Sequence, residues 1–409
     1  MTLHIQNIGT LYTMEQRDGD VLGRIPNATL TFANGRVKYA GSSADAPAVA
    51  PDDAVIDAEQ KAVLPGLIDC HTHLLWAGNR RDEFAMRARG ATYAEIMASG
   101  GGIRSTMNAL RDSSEDDLAR MALPRLEAML WRGVTTIEAK SGYGLTLEDE
   151  LKTLRALRRL HEVHEMSIVS TFLGAHAVPP EFEGRADDYI SLVVDEMLPA
   201  VAENQLADFC DVFVEDGAFN AAQGRKVLEK AKALGLGLRV HAEQLSPSGG
   251  ARLAAEMQAV SASHLEFAST EDMQSLADAN VICEILPVAQ AFLGLEKRIP
   301  GKALSEAGCR LAVATDLNPG SAHCADLHLA AGMSVTMCGL TTEEALLGIT
   351  RNAALSLGRD DLGILRADAC ADAVILETES ALDLVYEWGH NAVGQVIKNG
   401  KVVDLGGFD

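Results

Sequence analysis

The sequence contains no C-x-x-C pair, and its seven cysteines, at positions 70, 210, 283, 309, 324, 338 and 370, are scattered and odd in number. That excludes a disulfide framework and a thiolate zinc site, and leaves reduced thiols that mostly fill a core. Basic residues are scarce, 35 against 58 acidic ones, and the formal net charge of -23 repels nucleic-acid phosphates and anionic membranes. No nucleic-acid partner is expected. No apolar run approaches the roughly 20 residues of a membrane span, and Met1 to Asn7 lacks the basic-then-apolar layout of a secretory signal. No membrane association is expected, and the expected compartment is the cytoplasm.

What is present is the composition of a folded protein, 47% hydrophobic and 23% charged. With 409 residues the chain can form one large domain of about 250 residues and a smaller one. Its two ends share one pattern. Asn34-Gly35 lies between the strand-like Ala28–Phe32 and Arg36–Tyr39, and Asn399-Gly400 lies between Gln395–Lys398 and Lys401–Val403. Asn-Gly between such runs is a strong hairpin signal, since both central residues of a type I′ turn need positive φ. Residues 1–62 and 366–409 are therefore expected to join in one small β-sandwich, with residues 63–365 inserted between them.

The inserted region alternates short apolar runs with helical patterns. The runs lie at about 63–69, 134–137, 168–173, 209–214, 236–240, 259–263, 281–285 and 311–314. Eight such runs fit a closed α/β barrel, the (β/α)8 or TIM barrel, better than an open doubly wound sheet. The first gap is too long for one helix. It is expected to hold extra elements over the barrel mouth, including a short helix from Tyr93 to Ser99 and the glycine run Gly100–Gly102, read as a flexible lid element.

The first run ends in His71-Thr72-His73, and residues two apart on a strand share a face. Two neutral imidazoles aimed at one point suit zinc or iron, though H-x-H alone is weak evidence. The other strand ends add to it: Glu138, Lys140 and Tyr143 after the second, His176 after the third, Glu215 and Asp216 after the fourth, His241, His264 and Asp316 after the fifth, sixth and eighth. Strand ends at this face of a barrel converge on one active site. His71, His73, His241 and Asp316 form a set of three nitrogens and one carboxylate with room for water. Alone, each is an ordinary core or surface residue. His176 and His264 are candidates for substrate contact or for bracing the ligands. Lys140 is a candidate for carboxylation between two metals, but the ligand count favours a single ion. His161-Glu162-Val163-His164 imitates H-E-x-x-H one residue short and is taken for a solvated helix face.

These residues resemble the amidohydrolase superfamily: P-G-L-I-D-x-H-x-H on the first strand, His241, His264, and Thr315-Asp316 on the eighth, across essentially the whole chain. Within it the chain is similar to the imidazolonepropionases, through Trp76–Arg80, Gly100–Thr106, Glu138–Leu145, Gly174–Pro180, His241–Gln244 and Thr315–Ser321. The resemblance implies a hydrolase that opens 4-imidazolone-5-propanoate to N-formimidoyl-L-glutamate in histidine degradation. It implies one zinc or iron ion per subunit on His71, His73, His241 and Asp316, and a homodimer. It further implies substrate contacts from Arg80, Tyr143, His176, Gln244, Asn318, Gly320 and Ser321. Asp316, as a ligated carboxylate beside the attacking water, and His264, at the neighbouring strand end, are the expected catalytic groups. Related deaminases carry a glutamate shuttle three residues after the strand-five histidine, where this chain has Gln244. A purine or pyrimidine aminohydrolase and a non-catalytic scaffold of the same fold are the alternatives.

Overall fold

The computed structural model describes residues 2–91, 95 and 101–405. The expected helix from Tyr93 to Ser99 and the first glycine of the Gly100–Gly102 run fall outside the described residues, apart from position 95.

The two chain ends meet in one mixed eight-stranded sheet, separate from the barrel sheet. Its hairpins turn where the sequence places them. Asn34 and Gly35 have φ of 55° and 70°, and Asn399 and Gly400 have 51° and 75°, the paired left-handed conformation of a type I′ turn. The sheet encloses a small apolar core that includes Ile5, Ile8, Leu30, Phe32, Val63 and Ile397. Burial of these side chains supplies the driving force that a two-stranded hairpin alone lacks.

The first apolar run does not form one strand. Ala62–Pro65 pairs with Thr2–Tyr12 and Ala373–Leu376 in the terminal sheet, and Leu67–Asp69 starts the barrel. The division falls at Gly66, where a Cβ would lie 2.3 Å from Thr135 Oγ1. Only glycine lets the chain pass that close while changing sheets.

The remaining barrel strands are Val134–Lys140, Ser167–Ala175, Phe209–Val214, Gly237–Ala242, Ser261–His264, Ile282–Ile285 and Leu311–Val313. They are parallel neighbours in chain order, as successive β-α-β units require. The eighth meets the first just past their ends: Asp316 N–H donates to His71 O (3.1 Å) and His73 N–H to Leu317 O (2.9 Å). This seam brings His71, His73 and Asp316 together. Helices such as Glu115–Trp131 and Leu147–Val163 pack outside, each started by a hydroxyl cap, Ser114 or Thr146, that accepts a backbone N–H.

Candidate metal centre and substrate site

His71 and His73 follow the first strand, and the segment is tied to the second strand at Thr72. Thr72 donates through Oγ1 to Glu138 O (2.7 Å), and Lys140 N–H donates to Thr72 O (2.9 Å). The imidazoles of His71 and His73 lie 5.6 Å apart, and that of His241 lies 4.6 Å from His71. Asp316 Oδ1 is 3.6 Å from His71 Nε2 and 3.5 Å from His73 Nε2. Two buried triads, His71–His73–Asp316 and His71–His241–His264, each gather their donor atoms within 4.8 Å and share His71. His264 thus stands as close to a possible ion as the residues assigned to hold one.

The far ring nitrogens of His71 and His241 have close partners. His71 Nδ1 lies 3.0 Å from Ser263 Oγ and 3.2 Å from Glu284 Oε2, and His241 Nδ1 lies 3.0 Å from Asp211 Oδ2. Such partners fix the tautomer and aim the other nitrogen at a metal. His71 Nε2, His241 Nε2 and Asp316 Oδ1 are buried with no hydrogen-bond partner among the described residues. Three imidazoles and a carboxylate with orphaned, converging donor atoms fit a zinc or iron ion.

Protonation agrees. Burial, with Lys140 next, pushes the His71 imidazole well below its usual range, and burial does the same to His73 and His264. His176 is pushed down to about 4, chiefly by burial. At neutral pH these rings are uncharged, the form that binds metal. Burial raises Asp316 well above the ordinary carboxylate range, so it lies in a site that needs a cation to keep it ionised. Asp316 and His264 also sit in left-handed backbone, with φ of 55° and 76°. Buried side chains with positive φ mark stored strain, and both lie at the centre of the site.

The expected substrate residues surround this cluster. His176 stacks on His73 with ring centroids 5.1 Å apart, and Tyr143 stands 5.8 Å from His73. Asn318 accepts the backbone N–H of Gly320 (2.8 Å) and of Ser321 (2.7 Å), shaping a tight turn after the eighth strand. Arg80 reaches this turn: a Cβ on Gly320 would lie 2.1 Å from Arg80 Nη1. Gln244 is buried beyond the fifth strand, where Glu215 accepts the N–H of the following Leu245 (2.8 Å).

One sequence reading is sharpened and another changes. Lys140 is no carboxylation site, because its Nζ lies 2.8 Å from Glu138 Oε1 and 2.9 Å from Asp211 Oδ2, fully buried. Burial lowers its pKa, but these two carboxylates outweigh it and raise it overall, so it stays an ammonium. His161 and His164 do more than face solvent. Their Nδ1 atoms accept the N–H of Ile168 (3.0 Å) and Met166 (3.1 Å), closing the turn into the third strand. Sequence reasoning missed Asp211, Ser263 and Glu284 as braces. The available signal was a lone polar residue inside an apolar strand, as in Phe-Cys-Asp-Val-Phe-Val or Ile-Cys-Glu-Ile.

Residues 62–403 match the amidohydrolase family. Imidazolonepropionase of Sphingopyxis alaskensis is 47% identical over 384 residues, 94% of each chain, and that of Myxococcus xanthus is 43% identical over 408 residues, 98% of this chain and 97% of the relative. The chain belongs to the amidohydrolase family, among the imidazolonepropionases. Solved amidohydrolase-like folds agree at low identity. An adenosine deaminase from Xanthomonas campestris with bound zinc superposes with a TM-score of 0.74 at 17% identity, covering 98% of this chain and 92% of that one. A triazine hydrolase from Arthobacter aurescens gives 0.73 at 18%, covering 98% and 94%. At such identities they speak for the barrel and terminal sheet alone. Among the described residues, no helix is long and apolar enough to cross a membrane.

Proposed function

We propose that this amidohydrolase opens the five-membered ring of 4-imidazolone-5-propanoate, hydrolysing the cyclic amide C–N bond to give N-formimidoyl-L-glutamate. One observation carries the reading: a neutral-imidazole and carboxylate cluster shares a barrel mouth with Arg80, whose guanidinium lies on the Gly320 turn. A small amide with a carboxylate tail fits that pairing, and the imidazolonepropionases at 43–47% identity point to the same substrate.

A zinc or iron ion held by His71, His73, His241 and Asp316 would acidify a water and polarise the amide carbonyl. Asp316 accepts the proton of the attacking water and delivers it to the departing ring nitrogen, so the proton count closes within the site. His264 donates a hydrogen bond to the oxygen anion that forms as the carbonyl becomes tetrahedral. Arg80 offers a planar fork to the propionate, while Tyr143 and His176 donate to the ring. Asn318, Gly320 and Ser321 hold the turn against which the tail lies, and Gln244 contacts the ring without exchanging a proton. A carboxamide cannot shuttle protons as a glutamate does, which disfavours an aminohydrolase. The reading includes one ion per subunit and a homodimer in the cytoplasm, supported by the family resemblance.

Loss of the imidazolone chromophore on adding purified enzyme tests the reaction, and chelation followed by metal analysis tests the ion. Full ring opening by a metal-free preparation would remove the metal from the account. Ammonia release from a purine or pyrimidine, without ring opening, would move the assignment to the aminohydrolases.

A further inference from the structure

Arg80 is not free to choose which edge it presents. It immediately precedes the helix Arg81–Ala88, and Glu83 lies one turn along on the same face. Arg80 Nε donates to Glu83 Oε2 (2.8 Å), Nη2 forms an ion pair with the same oxygen (2.7 Å), and the two side chains are 15% and 10% exposed. The other carboxylate oxygen is also taken: Oε1 accepts the N–H of Gly102 (2.9 Å) and is 3.4 Å from Ser105 Oγ. Glu83 therefore ties the guanidinium to the start of the helix Ile103–Asp112.

A guanidinium carries five N–H donors around a plane. With its Nε side occupied, the edge left for a ligand is the fork between Nη1 and Nη2, the edge that pairs two parallel bonds with a carboxylate. Nη1 is held at the surface of Gly320, where any side chain would collide with it. Arg87 Nη2 donates to Gly320 O (3.0 Å) and fixes that turn from the other side.

We infer that Glu83 is a positioning residue for carboxylate recognition: it turns the Nη1–Nη2 fork of Arg80 toward the substrate's propionate and holds it on the Gly320 turn. This rests on the ring-opening reading for the identity of the ligand. Its consequence is selective. Loss of Glu83 weakens ligands that carry the carboxylate and leaves the chemistry at the ring alone.

The test compares the metal-loaded parent with Glu83→Gln and Gly320→Ala. It uses 4-imidazolone-5-propanoate, its propanamide analogue, and imidazole-4-propionate as a non-reacting ligand measured by calorimetry. Glu83→Gln keeps the side chain's shape and weakens a charge-assisted pair. The expected result is a rise of about ten- to a hundredfold in KM for the propanoate and in Kd for imidazole-4-propionate. kcat should stay within about threefold, and the propanamide should be unaffected within about the same factor. Gly320→Ala, by displacing Nη1, should likewise raise KM for the propanoate and Kd for imidazole-4-propionate. Equal losses on propanoate and propanamide, or an unchanged KM and Kd, would overturn the inference. If the parent opens no imidazolone ring, the functional reading falls, and the calorimetric comparison still decides the role of Glu83. Should the parent fail to bind imidazole-4-propionate as well, both fall.

Discussion

Deep in the barrel, Glu138, Lys140, Asp211, Arg239 and Glu284 are fully enclosed, and each charge faces an opposite one. Arg239 also donates to the carbonyls of Ser356 and Cys70, both at 2.7 Å. At the mouth, where the fifth strand reaches His241 two residues beyond Arg239, His71, His241 and Asp316 are enclosed almost as completely, yet His71 Nε2 stands 3.6 Å from Asp316 Oδ1, whereas Lys140 Nζ lies 2.8 and 2.9 Å from its carboxylates. Equal burial thus serves opposite ends. Ion-paired charges specify how the strands sit against one another, and converging donor atoms of one cluster suit a ligand between them. The two layers are joined, because Asp211 and Glu284 also brace His241 and His71.

The comparison predicts where stability and activity separate. The largest effect should come from the ion-paired layer. Lys140→Met would leave Glu138 and Asp211 buried without their ammonium, at a cost of about 3–5 kcal/mol. Urea unfolding of metal-free protein at neutral pH measures it. A change below about 1 kcal/mol would show that water reaches this layer and that it is not the closed network described. Asp316→Asn should do the reverse. It removes a carboxylate whose raised pKa shows that burial already opposes its charge, so metal-free stability should hold or rise. Metal content and turnover should collapse, the latter by about a thousandfold or more, since ligand and proton carrier go together. Retained metal with normal turnover would take Asp316 out of both roles.

His264 comes next, and it carries an ambiguity that the experiment resolves. It shares a triad with His71 and His241, but the proposed mechanism gives it to the oxygen anion rather than the ion. His264→Asn is the better substitution, because asparagine tolerates the φ of 76° that alanine would resist. Turnover should fall about a hundred- to a thousandfold with metal content unchanged. Loss of the metal would instead move His264 into the ligand set.

The eight strands, both hairpins and every mouth histidine could be read from the sequence, because each is written within a few residues: an apolar run, an Asn-Gly, a histidine at a strand end. What could not be read lies between distant segments. Glu284 reaches His71 across 213 positions, and Ser263 reaches it across 192. No local pattern states that such a carboxylate faces a ligand rather than solvent. The division at Gly66 was hidden for a related reason. Both halves of the run are apolar and buried, and only the approach of Thr135 shows that they belong to different sheets. The state of Lys140 was open in the sequence because its neighbours Glu138 and Asp211 come from two strands, and they settle whether that amine is a nucleophile or a fixed cation.

The smallest effect lies outside the barrel interior, where charge pairing is as complete as in the deep layer but partly wet. Asp361 accepts from Arg359 Nε (2.8 Å) and Nη2 (3.1 Å), and from Arg36 Nη1 (2.7 Å), which comes from the hairpin strand Arg36–Ser42. Arg359 is the leading cause that holds its carboxyl well below the usual range. A depressed folded-state pKa means that the unfolded chain takes up the proton first. The contribution is therefore fully present above the unfolded value of about 4 and is lost as pH falls toward the folded one. With its carboxylate a quarter exposed, the pairing is screened, so Asp361→Asn should cost no more than about 1 kcal/mol at pH 7. The difference from the parent should shrink below about pH 4 and in high salt, with turnover unchanged. A cost of about 3 kcal/mol, insensitive to salt, would place this pair energetically with Lys140 and Arg239 and make burial, rather than saturation of partners, the wrong axis for ranking the charges of this fold.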